Sequence, residues 1–242
     1  ISKKYYFCTL FNKTVMAKDE EKNEEIVDVE QVYTKTEEYI ENNKKMLSYV
    51  AIAVIAIVGG YFGYKNFYIE PLETEAKSVM FHAENYFRQD SLKKAIYGDN
   101  VNPGFIDIID DYSGTKSAAL AEYYLGIAYL RNGQFQDAID VLSEYSSDDE
   151  ILSAIAIGAT GDAYLELGNV EEAISHYKKA ANHRDNSFTS PIYLMKAGQV
   201  LETKGEYKEA LALYKTIKEK YKDSQEAREI DKYIARAEGF EE

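Results

Sequence analysis

Tryptophan is absent from the 242 residues, cysteine occurs once, and proline and histidine occur three times each. The lone Cys8 excludes an intrachain disulfide and a cysteine-based metal site within one chain. So few prolines leave long stretches free to be helical. His82, His176 and His183 are scattered without ligand spacing and read as surface residues, so no metal is expected. Positive charge is also scarce: 28 Lys and Arg stand against 42 Asp and Glu, a net charge of −14. From Asn66 onward there are 19 basic and 32 acidic side chains (19 − 32 = −13), so nearly all the excess lies there. Such a balance disfavours nucleic acid as a partner and favours solubility. The chain has no phosphate-cradling glycine loop and no G-x-S-x-G elbow. Acidic pairs such as Asp110-Asp111 and Glu171-Glu172 read as solvated faces. The expectation is a chain with no catalytic residues, no cofactor and no small-molecule substrate.

One long apolar run stands out. Met46 to Tyr64 is 19 residues without a charge, preceded by Lys44 and Lys45 and followed by Lys65. As a helix it rises about 28 Å, close to the hydrocarbon thickness of a bilayer of about 30 Å. Buried helices of soluble proteins rarely run so long without a charge. A cleaved signal peptide fits poorly, because the preceding tail is long and no small-x-small site follows in a convincing place. The run reads as an uncleaved signal anchor across residues 46–64. Lys35, Lys44 and Lys45 before it outnumber Lys65 and Lys77 after it, which favours an N-terminus in the cytoplasm. Gly59 with Gly63, and Ala56 with Gly60, form small-residue pairs that permit close helix contact in a membrane or simply tolerate lipid.

Residues 1–45 before the span read as a largely disordered acidic tail, with Val32 to Asn43 a short helix leading into the membrane. Cys8 lacks the preceding apolar run of a lipoprotein signal. Met16-Ala17-Lys18-Asp19-Glu20 looks like an ordinary start, so residues 1–15 are expected to lie upstream of the native protein.

Beyond the span a pattern repeats. Gly126-Ile127-Ala128-Tyr129 is followed by Gly133, Phe135 and Ala138-Ile139. Gly161-Asp162-Ala163-Tyr164 is followed by Gly168, Val170 and Ala173-Ile174. A weaker copy has Gly198-Gln199-Val200-Leu201, Gly205, Tyr207 and Ala210-Leu211. The leading glycines are 35 and 37 residues apart (161 − 126, 198 − 161). Small residues such as Gly126, Ala128 and Ala138 suit the crossing of two antiparallel helices, with Tyr129 and Phe135 filling the wedge. Gly133, Gly168 and Gly205 suit the turns between them.

This period and these offsets resemble the tetratricopeptide (TPR) helical hairpin, which implies an all-α fold, an α-solenoid of stacked hairpins, following the single transmembrane helix. Within residues 65–242 the expected units are a degenerate repeat at about 70–113, repeats at about 119–150, 154–186 and 191–222, and a capping helix at 224–237 with Ser224 as N-cap. The cap would show a polar outer face through Gln225, Arg228, Glu229, Lys232 and Arg236. Loops are expected at Ser146–Asp149 and Asp185–Pro191. The resemblance also implies a partner-binding groove lined by the first helix of each unit. Counting from the leading glycines gives Tyr123, Ile127 and Arg131, then Gly158, Asp162 and Glu166, then Met195, Gln199 and Thr203, with Glu202 adjacent. A groove that supplies only Arg131 as cation suits an extended or helical apolar segment, with some basic residues, better than an anionic tail. Equally, the protein's own helices could fill it.

The resemblance extends further. Phe87, Asp90-Ser91, Gly98-Asp99, Gly104-Phe105, Ile108-Ile109, Asp111-Tyr112 and Thr115-Lys116, followed by AEYYLGIAYLRNGQF, resemble the YfgM-like bacterial inner-membrane TPR proteins from about Lys44 to the end. That resemblance implies a single-pass inner-membrane protein with periplasmic repeats. It implies an ancillary role at the SecYEG translocon, beside a PpiD-like periplasmic chaperone. A scaffold for another envelope machine, in outer-membrane protein assembly or a secretion system, would use the same features.

Overall fold

The structure, a computed structural model, describes residues Val29–Glu241. Cys8, Met16 and the rest of residues 1–28 lie outside the described residues. The chain divides into two compact units between Val58 and Gly59.

Helix α1, Val29–Tyr64, runs through the first unit and across the division. Its most apolar stretch has a mean hydropathy of 2.0 with none of it buried, and it is the one helix among the described residues long and apolar enough to cross a membrane. The helix also takes in Val29–Asn43, part of which reads from composition as disordered. Once the apolar span is helical, each further residue adds a hydrogen bond without a new nucleation cost, so propagation carries the helix upstream.

The second unit is entirely helical among its described residues, apart from turns and short connections. A π turn, Lys65–Ile69, leads into α2 (Glu70–Arg88), with Pro71 in its first turn. Two short helices follow, α3 (Leu92–Tyr97) and α4 (Phe105–Asp111). Then come three hairpins: α5 (Lys116–Arg131) with α6 (Phe135–Glu144), α7 (Glu150–Glu166) with α8 (Val170–Asn182), and α9 (Thr189–Lys204) with α10 (Tyr207–Lys220). The 3-10 turn Glu226–Glu229 precedes the last helix, α11 (Ile230–Glu241). Ser224 Oγ accepts from Ala227 N–H at 3.1 Å, so it caps the 3-10 turn and the α-helix itself starts only at Ile230. The tighter turn seats Ala227 against the core. Helix α9 starts earlier than its proline suggests, because Asn186 Oδ1 accepts from Phe188 and Thr189 N–H at 2.9 and 2.8 Å. Pro191 then falls in the first turn, where a missing N–H costs nothing.

Each hairpin turns in the same way. Gly133, Gly168 and Gly205 have φ of 78°, 78° and 79°, in the left-handed region that favours glycine. The residue after each glycine donates to a carbonyl five positions back: Gln134 to Tyr129 at 2.9 Å, Asn169 to Tyr164 at 2.8 Å and Glu206 to Leu201 at 2.9 Å. Each glycine donates three positions back, to Leu130, Leu165 and Glu202. This pair of hydrogen bonds is the Schellman closure of a helix end.

The turn after α2 closes identically. Ser91 donates to Tyr86 at 2.9 Å and Asp90 to Phe87 at 3.2 Å, with Asp90 at φ 59°. Helices α2 and α3 are therefore a fourth hairpin, with Asp90 in the turn-glycine position. Seven residues before the turn residue stands Ala83, where the other units have Gly126, Gly161 and Gly198. Five residues after it stands Ala95, matching Ala138, Ala173 and Ala210, and all four alanines are fully buried.

The leading glycines keep the two helices of a hairpin close. A Cβ on Gly126 would lie 2.4 Å from Leu142 Cγ, one on Gly161 2.9 Å from Tyr177 Cε1, and one on Gly198 2.4 Å from Tyr214 Cε1. In each of these three units the opposing residue is 16 positions later (142 − 126, 177 − 161, 214 − 198) and buried. The core is accordingly a chain of neighbouring clusters. One joins α2 to α5 through Met80, Ile96, Phe105 and Leu125, where Phe105 stacks on Tyr124 with centroids 5.6 Å apart. The next joins α6 and α7 through Ile139, Leu142 and Ala163, and the last joins α8 to α11 through Tyr177, Leu201, Tyr214 and Ile230.

Glu73 of α2 joins the first helix of the array to the next unit. Its carboxylate accepts from Ser117 N–H at 3.0 Å and the Ser117 hydroxyl at 3.2 Å, at the start of α5, and pairs with Lys77 at 3.3 Å. Burial pushes its pKa up, but the Ser117 and Lys77 contacts outweigh this and hold it below the usual value. The stabilisation is therefore complete above the ordinary carboxylate range and is lost as the pH falls through the depressed folded value.

Two outcomes are expected. Gly198→Ala, which drives a methyl into the fully buried Tyr214, destabilises the chain by about 1–3 kcal/mol in chemical denaturation; Gly133→Ala, which meets open space but a left-handed backbone, costs about 1 kcal/mol. Glu73→Gln lowers the melting temperature at neutral pH, and the deficit against the natural chain shrinks as the pH drops below about 4.

Candidate partner-binding face

The first helices of the hairpins, α5, α7 and α9, lie beside one another in turn. The residues expected to line a groove divide among several environments. Arg131, Asp162 and Glu166 converge, with Leu130, Phe135 and Lys196, on an open depression of about 420 Å³. Gln199, Glu202 and Thr203 line a second, of about 450 Å³, with Tyr233, Arg236 and Phe240 of α11. Met195 lines a third depression with Gln225, Arg228, Glu229 and Tyr233. Tyr123 and Ile127 are half-buried against the cluster that joins α6 and α7, and Tyr123 packs on Tyr145 at 5.8 Å.

Gly158 does not line a groove. A Cβ there would fall 1.9 Å from Tyr193 Cε1, because the Tyr193 ring of α9 lies directly on the α7 backbone. The two interfaces between first helices are filled oppositely. In the first, a large residue three before the leading glycine, Tyr123, packs on a cluster that contains the small Ala156, five before the next. In the second, the small Gly158 receives the large Tyr193. Volume is conserved while its source switches helix.

The charged residues of the first depression are tied to one another. Lys196 Nζ donates to both Asp162 oxygens at 2.7 and 2.8 Å, and Tyr177 donates its hydroxyl to Oδ1 at 2.7 Å. The lysine also lies over the Tyr177 and Tyr193 rings at 5.6 and 5.7 Å. Burial, and then the Asp162 carboxylate, push the Tyr177 phenol far above its ordinary pKa. Burial does the same to Tyr193, with Asp162 adding to it. Tyr177 is thus a permanent donor. Arg131 reaches back to Asp90 at 2.7 Å and covers the Phe87 ring at 4.8 Å. Glu166 makes no ion pair among the described residues.

At the other end the protein's own last helix engages the face. Gln199 donates to the Tyr233 hydroxyl at 3.5 Å, and Glu202 pairs with Arg236. Counting inward positions from the leading glycine could not find Lys196, Tyr233 or Arg236. A different signal could: each lies 34 residues after its partner (196 − 162, 233 − 199, 236 − 202), one repeat period. Ion pairs elsewhere span nearly the same interval, with Lys204 on Glu171 at 2.5 Å, Arg184 on Glu150 at 3.5 Å, and Lys178 on Glu209. Among the described residues no group of His, Cys, Asp and Glu is arranged to hold a metal ion.

Because Asp162 is shared by Tyr177 and Lys196, its partners are coupled. Tyr177→Phe is expected to cost about 1 kcal/mol by denaturation. In an Asp162→Asn background the same change costs measurably less, a non-additivity that a double-mutant cycle reads directly.

The tetratricopeptide repeat family model matches residues 107–151, 123–187 and 159–225. Tetratricopeptide repeat protein 29 of Macaca fascicularis is 30% identical over 112 residues, 43% of this chain and 24% of that protein. The Homo sapiens protein of the same name is 30% identical over 113 residues, again 43% and 24%. The chain thus spans about a quarter of the length of these curated relatives. Among solved structures, the TPR-like repeats of a Podosopora anserina kinesin light chain superpose with a TM-score of 0.52 at 16% identity, covering 70% of this chain and 87% of that one. A second crystal structure of the same repeats gives the same TM-score. The shared fold, the glycine-closed hairpins and the matched residues agree: residues 107–225 form a tetratricopeptide-repeat domain.

Proposed function

We propose that the chain is a membrane-anchored adapter whose repeats hold a partner protein beside the machinery that exports proteins across the bacterial inner membrane. The observation that carries this is the order of elements. A helix able to span a bilayer is followed, after only the five residues Lys65–Ile69, by a helical-hairpin array. Tethering an interaction domain to a surface raises its effective concentration for partners on that surface without any new contact.

The contact face on this reading is the depression around Arg131, Asp162, Glu166 and Lys196. Its rim is apolar through Leu130, Leu165 and Phe135, and Glu166 is the acid left over once the other charges are paired. That combination suits an apolar segment carrying a basic side chain. The third unit's face, engaged by α11, serves as the closed end of the array. The lysines flanking the span favour a cytoplasmic N-terminus and periplasmic repeats. The partners proposed are the SecYEG channel and a PpiD-like chaperone, and the role is non-enzymatic.

A photo-crosslinking residue in place of Glu166, in the full chain, followed by purification in mild detergent, tests this. The expected products contain a periplasmic parvulin-type chaperone, with SecY co-purifying. Absence of both overturns the export assignment, and recovery of outer-membrane assembly or secretion-system subunits replaces it.

A further inference from the structure

We propose that Tyr61–Tyr68 forms an aromatic collar seated in the headgroup layer of the bilayer, where the chain leaves the membrane. The inference rests on the anchor reading above and adds where, in depth, the chain emerges. Five of these eight residues are aromatic: Tyr61, Phe62, Tyr64, Phe67 and Tyr68. All five are exposed, at 62%, 55%, 56%, 86% and 57%. Four of them pair, with Tyr64 stacked on Tyr68 at 5.3 Å and Tyr61 edge-on to Phe62 at 5.7 Å, while Phe67 stands clear. None belongs to the hydrophobic clusters of the repeats. So dense a group of exposed rings needs a partner other than water.

Their arrangement favours lipid over a docked protein. At about 100° per residue Tyr61, Tyr64 and Tyr68 share one face, while Phe62 and, through the wider π turn Lys65–Ile69, Phe67 point away from it, so the five rings are not confined to one stripe. A protein partner would cover one face, whereas a lipid interface surrounds the helix. Depth agrees. The apolar run ends at Tyr64, and the headgroup layer beyond the hydrocarbon is about 5–8 Å thick on each side. Eight helical residues rise about 12 Å, so Tyr61 and Phe62 fall at the acyl edge and Phe67 and Tyr68 among the headgroups. Tyrosine suits that boundary because its ring is apolar and its hydroxyl is wet. Lys65, within the same turn, extends its ammonium toward phosphate while its stem stays apolar. Acidic residues follow at once in Glu70 and Glu73, so the polar repeat array begins within about two turns of the collar.

The absence of tryptophan makes the test clean, since one introduced indole is the only one in the chain. Phe67→Trp, Val54→Trp and Phe81→Trp variants of the full chain are reconstituted separately in phosphatidylcholine vesicles. Quenchers are lipids brominated near the headgroup, lipids brominated deep in the acyl chain, and aqueous iodide. The expected result is that shallow bromines quench the indole at position 67 more than deep ones, by about twofold or more. The indole at position 54 is quenched best by deep bromines. The one at position 81, on an exposed face of α2, is quenched by iodide alone. If position 67 behaves like position 81, the collar lies in water and the proposal is overturned. If it behaves like position 54, the collar is part of the hydrocarbon span, which overturns the proposal equally. An indole at position 67 shielded from every quencher means that protein covers the collar, and this too overturns it. Failure of lipid to quench position 54 overturns the anchor reading itself, so the two failures are distinct.

Discussion

Everything in the repeat array depends on how closely the two helices of a hairpin approach. Gly126, Gly161 and Gly198 leave no room even for a methyl group beside Leu142, Tyr177 and Tyr214. The fully buried Ala95, Ala138, Ala173 and Ala210 set the same closeness from the second helix. With the axes drawn together, Leu142, Tyr177 and Tyr214 cover the leading glycine of their own hairpin, while Tyr193 reaches back onto Gly158 of the preceding one. The core therefore forms as a series of adjoining clusters, each built by successive elements. Such an array is stabilised by nearest-neighbour contacts, so the unit adjoining α2 and the unit adjoining α11 are as necessary as those between.

The same periodicity organises the charges. A net charge of −14 suggests an undifferentiated acidic surface. In the fold, many carboxylates face cations one repeat away: Asp162 with Lys196, Glu202 with Arg236, Glu171 with Lys204. Each exposed pair contributes little alone, because water screens it. Together they tie neighbouring hairpins into register and remove most formal charge from the first-helix face. What is left there is local: an apolar rim, the Asp162–Tyr177–Lys196 group and Glu166. On the proposed reading the partner surface lies on the early units, since α11 engages the last.

The segment between the membrane-length helix and the array is short. With only Lys65–Ile69 separating α1 from α2, no long linker spreads the repeats through the surrounding volume. On the proposed reading, the aromatic residues of Tyr61–Tyr68 give the lipid boundary a place to grip, and the acidic first turn of α2 gives water its place. A tethered adapter of this kind lets effective concentration substitute for strong intrinsic affinity.

The period, the three glycine turns and the apolar span were legible in the sequence, because each is a local pattern of residue types. A left-handed turn selects glycine wherever it occurs, and a bilayer selects an uncharged run of about 20 residues. The fourth hairpin was harder to read because its first position holds Ala83 and its turn holds Asp90, residues that meet the same demands less conspicuously. Its Ala95-Ile96 pair was the surviving trace. Sequence offsets also named plausible groove positions without separating the open from the filled. Gly158 lies beneath Tyr193, Tyr123 serves packing, and Lys196 emerges as the cation of the face. By itself, then, the sequence determined the repeat and the membrane-length helix, which depend on backbone conformation and solvent. Only the tertiary structure decided which side chains remain free, because that depends on volumes and charges brought together across a full repeat of chain.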